Sequence, residues 1–359
     1  MPLRARLQSG FVKVWQRRGL LARSLLPLAV VHGIWRRYDV WRYRVGLAHT
    51  QAIRVPVVVI GNLYVGGAGK TPLTIEVARA LRDRGWSPGV VSRGYGADRA
   101  LPRLVQPNGN ATDYGDEPLL IARATHLPVA VGTDRAAAAR LLLNLHPHVN
   151  VIIADDGLQH RRLARDVEIA VVHEPGFGNG WMLPAGPLRE PPRRLDGVDA
   201  VVLHGLTPPV RIYSPFFRMQ TSITRAYSLK DPTRSIELGE LAAEQRSHRQ
   251  TYIAAAGVGH PERFFAMLRG FGLEFTVVPL NDHYDFAQNP FTNYRFDRAL
   301  VTEKDAVKCA TNPALANDAR FHVVPLEAQL DAGLIDLIEA RIKPVPQKAE
   351  SAQRAEIPG

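Results

Sequence analysis

The chain has a single cysteine, Cys309, among 359 residues. That excludes a disulfide framework and a cysteine-based metal site, and it fits a reducing compartment. There is no internal repeat and no clean apolar run of the roughly 20 residues that a spanning helix needs. The nearest approach, Leu20 to Trp35, is interrupted by Arg23, Pro27 and His32. A cleavable signal peptide is not expected either, because arginine-rich sequence follows where a small-residue cleavage site should stand.

Net charge is also scarce over most of the chain. The net charge is +11, but residues 1–54 hold ten Arg and one Lys against one acid, Asp39. The remaining residues carry 34 basic and 33 acidic side chains and are nearly neutral. A nucleic-acid enzyme spreads basic residues around its cleft, so nucleic acid is not an expected partner. The basicity is confined to an N-terminal arm whose apolar stretch is bracketed by Arg17-Arg18 and Arg36-Arg37. This pattern predicts an interfacial helix, with Leu, Val, Ile and Trp at the acyl boundary and Arg on anionic headgroups. The alternative is a helix buried on the globular body.

What the chain does have is a glycine-rich loop directly after an apolar strand. Val55 to Ile60 runs into Gly61-Asn62-Leu63-Tyr64-Val65-Gly66-Gly67-Ala68-Gly69-Lys70-Thr71-Pro72. Glycines let backbone N–H groups converge on phosphate oxygens, the lysine reaches the outer phosphates, and the threonine hydroxyl can bind Mg²⁺. The helix that follows aims its positive end at the same anion. Residues 64–71 are therefore the expected nucleotide-binding loop, and ATP and Mg²⁺ the expected ligands. The match is not strict: the common pattern has Gly where Tyr64 stands, and Gly66 and Gly67 supply the flexibility instead. Leu73, Val77, Ala80 and Leu81 share one face of the following helix.

Strands and helices then alternate. Strands are expected at Pro88–Ser92, Val129–Val131, Val149–Ala154, Val167–Val172 and Ala200–Leu203, with helices at Leu119–Ala124 and Asp134–Leu145. Continuous apolar strands in a βαβ rhythm imply a parallel sheet covered on both faces, with ligands beyond the carboxyl ends of its strands. The fold expected is α/β: a P-loop NTPase-like parallel sheet with helices on both faces, a second, smaller α/β domain, and an N-terminal membrane-associated helix. The divisions expected are a basic, apolar arm over 1–50, a nucleotide-binding core over 51–205, a linker or β-hairpin over 206–250, an α/β domain over 251–342, and a disordered polar tail over 343–359.

Several residues stand where chemistry is done. Asp155 and Asp156 follow the apolar run Val151 to Ala154. An acid at a strand tip beside a phosphate loop is the usual second Mg²⁺ anchor, although Asp also caps helices. Asp116 and Glu117 open a helix, where acids are common because they complement its dipole. His283, in Asp282-His283-Tyr284, follows the strand expected at Phe275–Pro279. Taken alone, these last two signals favour a structural role. Leu183 to Glu190 forms a rigid turn that presents Arg189, either to an anionic substrate or to solvent.

Together these segments resemble the tetraacyldisaccharide 4′-kinases, the lipid A kinases of Gram-negative bacteria. The resemblance rests on Gly61-Asn62 with Gly66 to Pro72, Ser92 to Gly96, Gly115 to Pro118, Asp155 to His160, Gly178-Asn179-Gly180, Leu183 to Glu190, Gly257 to Arg263, Asp282-His283 and Thr302 to Lys308. It covers about residues 20–335. It implies transfer of the ATP γ-phosphate to the 4′-hydroxyl of a tetraacyldisaccharide 1-phosphate, giving lipid IVA at the cytoplasmic face of the inner membrane. It implies Asp116 as general base paired with His283, with Lys70 on the β- and γ-phosphates. It further implies Thr71, Glu117 and Asp155 on Mg²⁺, with Asp156, Tyr95, His160 and Arg189 lining the site. Two other readings stay open on the residues alone. One is a membrane-associated ATPase switch of the ParA/MinD type, against which Val65 stands where that family has lysine. The other is a non-catalytic lipid-binding protein.

Overall fold

The computed structural model describes residues 14–67, 69–94, 101–173, 176–205 and 211–342. Two sheets organise the chain. The first has nine strands: β1 (Val57–Gly61), β2 (Pro88–Ser92), β3 (Arg103–Leu104), β4 (Val129–Val131), β5 (Val151–Asp155), β6 (Val167–His173), β7 (Ala200–His204), β8 (Phe216–Ser222) and, from far down the chain, β15 (Glu327–Leu330). Their order is β15-β8-β7-β6-β1-β5-β2-β4-β3. From β8 to β4 all neighbours are parallel, and β15 and β3 close the two edges antiparallel. β1, β2 and β5 are buried at every position, as strands covered on both faces must be.

The second sheet has six strands: β9 (Arg225–Ser228), β10 (Ser235–Glu237), β11 (Tyr252–Ala255), β12 (Thr276–Val278), β13 (Arg298–Thr302) and β14 (Phe321–Val324), in the order β10-β9-β14-β13-β11-β12. Side chains alternate between its faces. Tyr252 and Ala254 join one cluster with Leu241, Phe265 and Leu268; Ile253 and Ala255 join another with Phe286, Phe291 and Phe321. Alternate residues of a strand point to opposite faces, so each face of this sheet has its own core.

The sheets divide the chain differently from the linear division. Residues 206–250 hold β8, which extends the large sheet, the antiparallel pair β9–β10 of the small one, and the helix Leu238–His248. β15 and the helix Ala332–Arg341 return to the large sheet, where Leu334, Ile335 and Ile338 enter its core. β8 and β15 were illegible for one reason. β8 buries only Met219 and β15 has no fully buried residue, so neither shows an apolar run. The tail 343–359 lies outside the described residues.

The arm forms two helices, Leu20–Ser24 and Leu26–Arg44. Leu28, Val31, Ile34, Trp35, Tyr38 and Trp41 are exposed on the second, while Ala29, Arg36 and Asp39 turn inward. It is therefore a helix seated on the body by one edge only. Among the described residues no helix is long and apolar enough to cross a membrane.

Candidate active site

The glycine-rich loop leaves β1 at Gly61 and ends where the helix Lys70–Asp83 begins. Gly69 adopts φ +85°, and a Cβ there would stand 2.6 Å from His204 Nδ1 and 2.9 Å from Met219 Cε. Only glycine closes the loop against β7 and β8. At Tyr64, where glycine is usual, the backbone instead bridges to Leu188, and the Val65 N–H donates to the Pro187 carbonyl at 2.9 Å. The Tyr64 ring is buried edge-on to Phe177, so this residue faces the core and leaves Val65, Gly66 and Gly67 exposed on the open side of the loop. Ala68 and Tyr95 lie outside the described residues.

Lys70 is held by two partners. Its Nζ donates to Asn62 Oδ1 at 3.3 Å and pairs with Asp156 Oδ1 at 3.5 Å. Asp156 follows β5 with φ +48°, a strained conformation for a residue with a Cβ that marks a position fixed by its surroundings. Arg189 Nη1 reaches Asp156 Oδ1 at 3.2 Å, and Arg135 donates to the Asp156 carbonyl. Burial opposes ionisation of Asp156, but Lys70, Arg189 and Arg135 outweigh it and hold the carboxyl below its usual range. Asp155, the last residue of β5, is fully buried and accepts the hydroxyls of Thr74 and Ser92 at 3.0 and 3.3 Å. Burial, then the Glu117 and Asp156 carboxylates, push its carboxyl well up.

Glu117 belongs to the third part of the site. The helix Asp116–Thr125 begins beside this cluster and meets the helix Glu303–Cys309 of the small-sheet unit. Asp116 Oδ2 lies 3.0 Å from His283 Nδ1 and 3.3 Å from Lys308 Nζ. His283 has φ +58°, and its N–H donates to the Gly257 carbonyl. Asp305 secures the arrangement from behind, accepting the Gly257 N–H at 2.9 Å and the Thr302 hydroxyl at 2.7 Å. Lys304 Nζ approaches His283 Nε2 at 3.4 Å and Glu117 Oε1 at 3.6 Å. Burial raises the Asp116 pKa, but the His283 hydrogen bond and the Lys308 and Lys304 charges lower it by more, so the group sits below its usual value.

The structure thus brings Lys70, Asp156 and Arg189 into one cluster and Asp116 and His283 into another, with Glu117 and Asp155 between them. His160 stands apart. Its Nε2 accepts the Arg135 N–H at 3.4 Å, one layer behind Asp156, and burial, then Arg135, hold it down to about 4. Lys304, Lys308, Asn62, Gln159 and Glu190 join these clusters by contact, and reasoning from single positions gave none of them a role. Lys304 and Lys308 lie in the segment Thr302 to Lys308 that carries the resemblance, but no role was expected of either.

Thr71 follows Lys70 at the start of the loop's helix, and the Glu117 and Asp155 carboxylates lie close enough to act on one another; these are hard oxygen donors of the kind that suits Mg²⁺. Among the described residues no group of three His, Cys, Asp or Glu side chains forms a metal cage by itself. Mg²⁺ in phosphoryl-transfer sites keeps waters and substrate phosphates in its shell, with one or two protein carboxylates, so such a cage is not required.

Residues 21–343 match the family model described as tetraacyldisaccharide-1-P 4′-kinase, LpxK. The chain belongs to this family. A tetraacyldisaccharide 4′-kinase of Herminiimonas arsenicoxydans is 48% identical over 354 residues, covering 96% of this chain and 99% of that one. The corresponding protein of Janthinobacterium sp. (strain Marseille) is 47% identical over 340 residues, covering 95% and 97%. A crystal structure of LpxK from Aquifex aeolicus in complex with ATP superposes with a TM-score of 0.75 at 27% identity, over 90% of this chain and all of that one. The large parallel sheet is the sheet of that fold, and membership makes the chain a kinase.

Proposed function

We propose that the kinase moves the γ-phosphate of ATP onto the 4′-hydroxyl of tetraacyldisaccharide 1-phosphate, forming lipid IVA in lipid A biosynthesis, with Asp116 taking the hydroxyl proton. The observation that carries the assignment of Asp116 is its 3.0 Å contact with His283.

A sugar hydroxyl is a poor nucleophile, and a carboxylate in hydrogen-bond reach contributes roughly 10²–10⁴-fold by accepting its proton. His283, Lys308 and Lys304 keep Asp116 ionised despite its burial. A carboxylate held below its usual pKa is a weak base, but phosphoryl transfer passes through a loose transition state that asks for positioning more than basicity. His283 Nδ1 fixes the orientation of the carboxylate and can share the accepted proton. Lys70, drawn from Asp156 and Asn62 to the β- and γ-phosphates, neutralises charge there, as do the loop amides. Mg²⁺, held by Thr71, Glu117 and Asp155, would supply charge neutralisation on the phosphates. Arg189 and Asp156 line the cluster, Tyr95 is the remaining residue expected beside the acceptor, and His160 supports Arg135 from behind Asp156.

The acceptor keeps its acyl chains in the bilayer, so the kinase must work at a surface. The exposed apolar face of Leu26–Arg44, from Leu28 to Trp41, suits the acyl boundary, and the exposed Arg23, Arg37 and Arg44 suit anionic headgroups, whereas Arg36 turns inward to Glu190. That reading places the protein peripherally on the cytoplasmic face of the inner membrane of a Gram-negative cell.

The test is label transfer from γ-labelled ATP in mixed micelles, with and without tetraacyldisaccharide 1-phosphate, beside Asp116→Ala. Label in the glycolipid that depends on the acceptor and is lost in the variant is the expected result. Undiminished transfer by Asp116→Ala would remove it as the base. Wild-type ATP turnover with no labelled lipid would favour an ATPase switch.

A further inference from the structure

Between the arm and the phosphate loop runs the segment 179–190, which is bonded to both. On the loop side the Arg189 N–H donates to the Leu63 carbonyl at 2.7 Å, and Val65 donates to Pro187. On the arm side Trp15 Nε1 donates to the Pro184 carbonyl at 2.9 Å and Arg18 Nε to the Asn179 carbonyl at 2.9 Å. A rigid segment gripped in this way transmits the placement of one neighbour to the other.

Glu190 makes the link specific. Its side chain is only 5% exposed and faces three arginines. Arg36, on the inward edge of Leu26–Arg44 and itself 11% exposed, stands 2.9 Å from Oε1. Arg161 Nη2 is 3.1 Å from Oε2 and also pairs with Asp39 of the arm helix at 3.5 Å. On its other side Glu190 Oε1 accepts from Gln159 Nε2 at 3.1 Å. Gln159 in turn donates to the Asn62 carbonyl at 3.0 Å, and its Oε1 faces Arg189 Nη1 at 3.4 Å. Asn62 holds Lys70, and Arg189 holds Asp156. Four residues, Arg36, Glu190, Gln159 and Asn62, therefore connect the arm helix to the phosphate-loop lysine, Asn62 by its main-chain carbonyl on one side and its side chain on the other.

We propose that Arg36 and Glu190 are positioning residues, through which the inner edge of the membrane-facing helix sets the placement of Gln159, Arg189 and the phosphate loop. The arm then has two separable faces: an outer one that binds lipid and an inner one that completes the active site. A buried carboxylate among cations is fixed by all of them, and removing one partner leaves the others to rearrange. Small displacements far from the reacting atoms cost up to about 100-fold in rate.

The proposal rests on the kinase reading, and its test keeps the two apart. Arg36→Met, Arg36→Lys, Glu190→Gln and the double variant Arg36→Met/Glu190→Gln are compared with wild type. Lipid phosphorylation is measured in mixed micelles, and sedimentation with vesicles of phosphatidylethanolamine and phosphatidylglycerol is measured alongside. For Arg36→Met the expected result is a kcat lowered about 10- to 100-fold with vesicle binding retained. Arg36→Lys should recover most of the loss, and the double variant should lose less than the product of the two single losses. Wild-type kcat in Arg36→Met, independent losses in the double variant, or a deficit that matches weakened vesicle binding would overturn it. Absence of labelled lipid from the wild type would instead strike the kinase reading.

Discussion

His283 Nδ1 stands 3.0 Å from Asp116 Oδ2, although 167 residues separate them and they belong to units built on different sheets. The pair exists only while those units are held together. Replacing Asp116 with Asn keeps the shape and removes the acceptor for the proton. The expected loss in kcat is about 10²–10⁴-fold, with ATP affinity within about twofold of wild type. His283→Ala should lose less, because the carboxylate remains. Steady-state transfer and calorimetric ATP binding check both, and a large fall in ATP affinity would contradict the assignment.

Lys70→Met should abolish measurable transfer, since Lys70 carries the positive charge that the transition state needs on the outer phosphates. It also frees Asp156, which then keeps only its arginine partners. Single-turnover transfer with saturating ATP is the measurement. Retention of more than about one percent of the wild-type rate, against the 10³–10⁵-fold typical of a charge-stabilising group, would exclude this role.

Lys308 is 4% exposed and lies between Asp116 and Asp305, at 3.3 and 3.7 Å. Lys308→Met leaves two buried carboxylates facing each other. The expected stability loss is about 3 kcal/mol, read by denaturant unfolding, together with a fall in kcat. A variant as stable as wild type would show that the carboxylates find other partners.

His160 and His173 are both held down to about 4 by burial and neighbouring arginines. The unfolded chain titrates them near 6.5, so between about 6.5 and 4 it binds protons that the folded chain refuses. The contribution of these two histidines to stability must therefore decline as pH falls through that window and level off below it, where loss of the Asp116 and Asp156 contributions takes over. His160→Gln should flatten part of the decline. Thermal midpoints of variant and wild type from pH 7.5 to pH 4.5 test the sign, and parallel curves would refute it.

The outer face of the arm predicts a separate phenotype. Val31→Glu/Trp35→Glu places two charges at positions that are 62% and 57% exposed. Loss of two apolar side chains from the acyl boundary should weaken vesicle binding by more than about tenfold. Transfer in micelles should stay near wild type. Unchanged sedimentation would remove this face from the membrane contact.

The phosphate loop was legible in the sequence because its parts are adjacent: the apolar strand, the glycines, Lys70 and the amphipathic helix. Asp155 and Asp156 were legible as a strand tip for the same reason. Asp116 and His283 were not, because an acid in a first helical turn and a lone histidine each have commoner explanations, and only the family resemblance raised them. β8 and β15, the last two strands at one side of the large sheet, escaped because half-buried strands of mixed pattern lack a periodic signal.

The sequence by itself determined the α/β rhythm, the anion-binding loop and the concentration of positive charge in the arm, all set by residues near one another in the chain. Only the tertiary structure decided that Lys308 reaches Asp116 and that Arg36 reaches Glu190. Side chains separated by more than a hundred residues become neighbours through packing, and packing is a property of the whole chain rather than of any window within it.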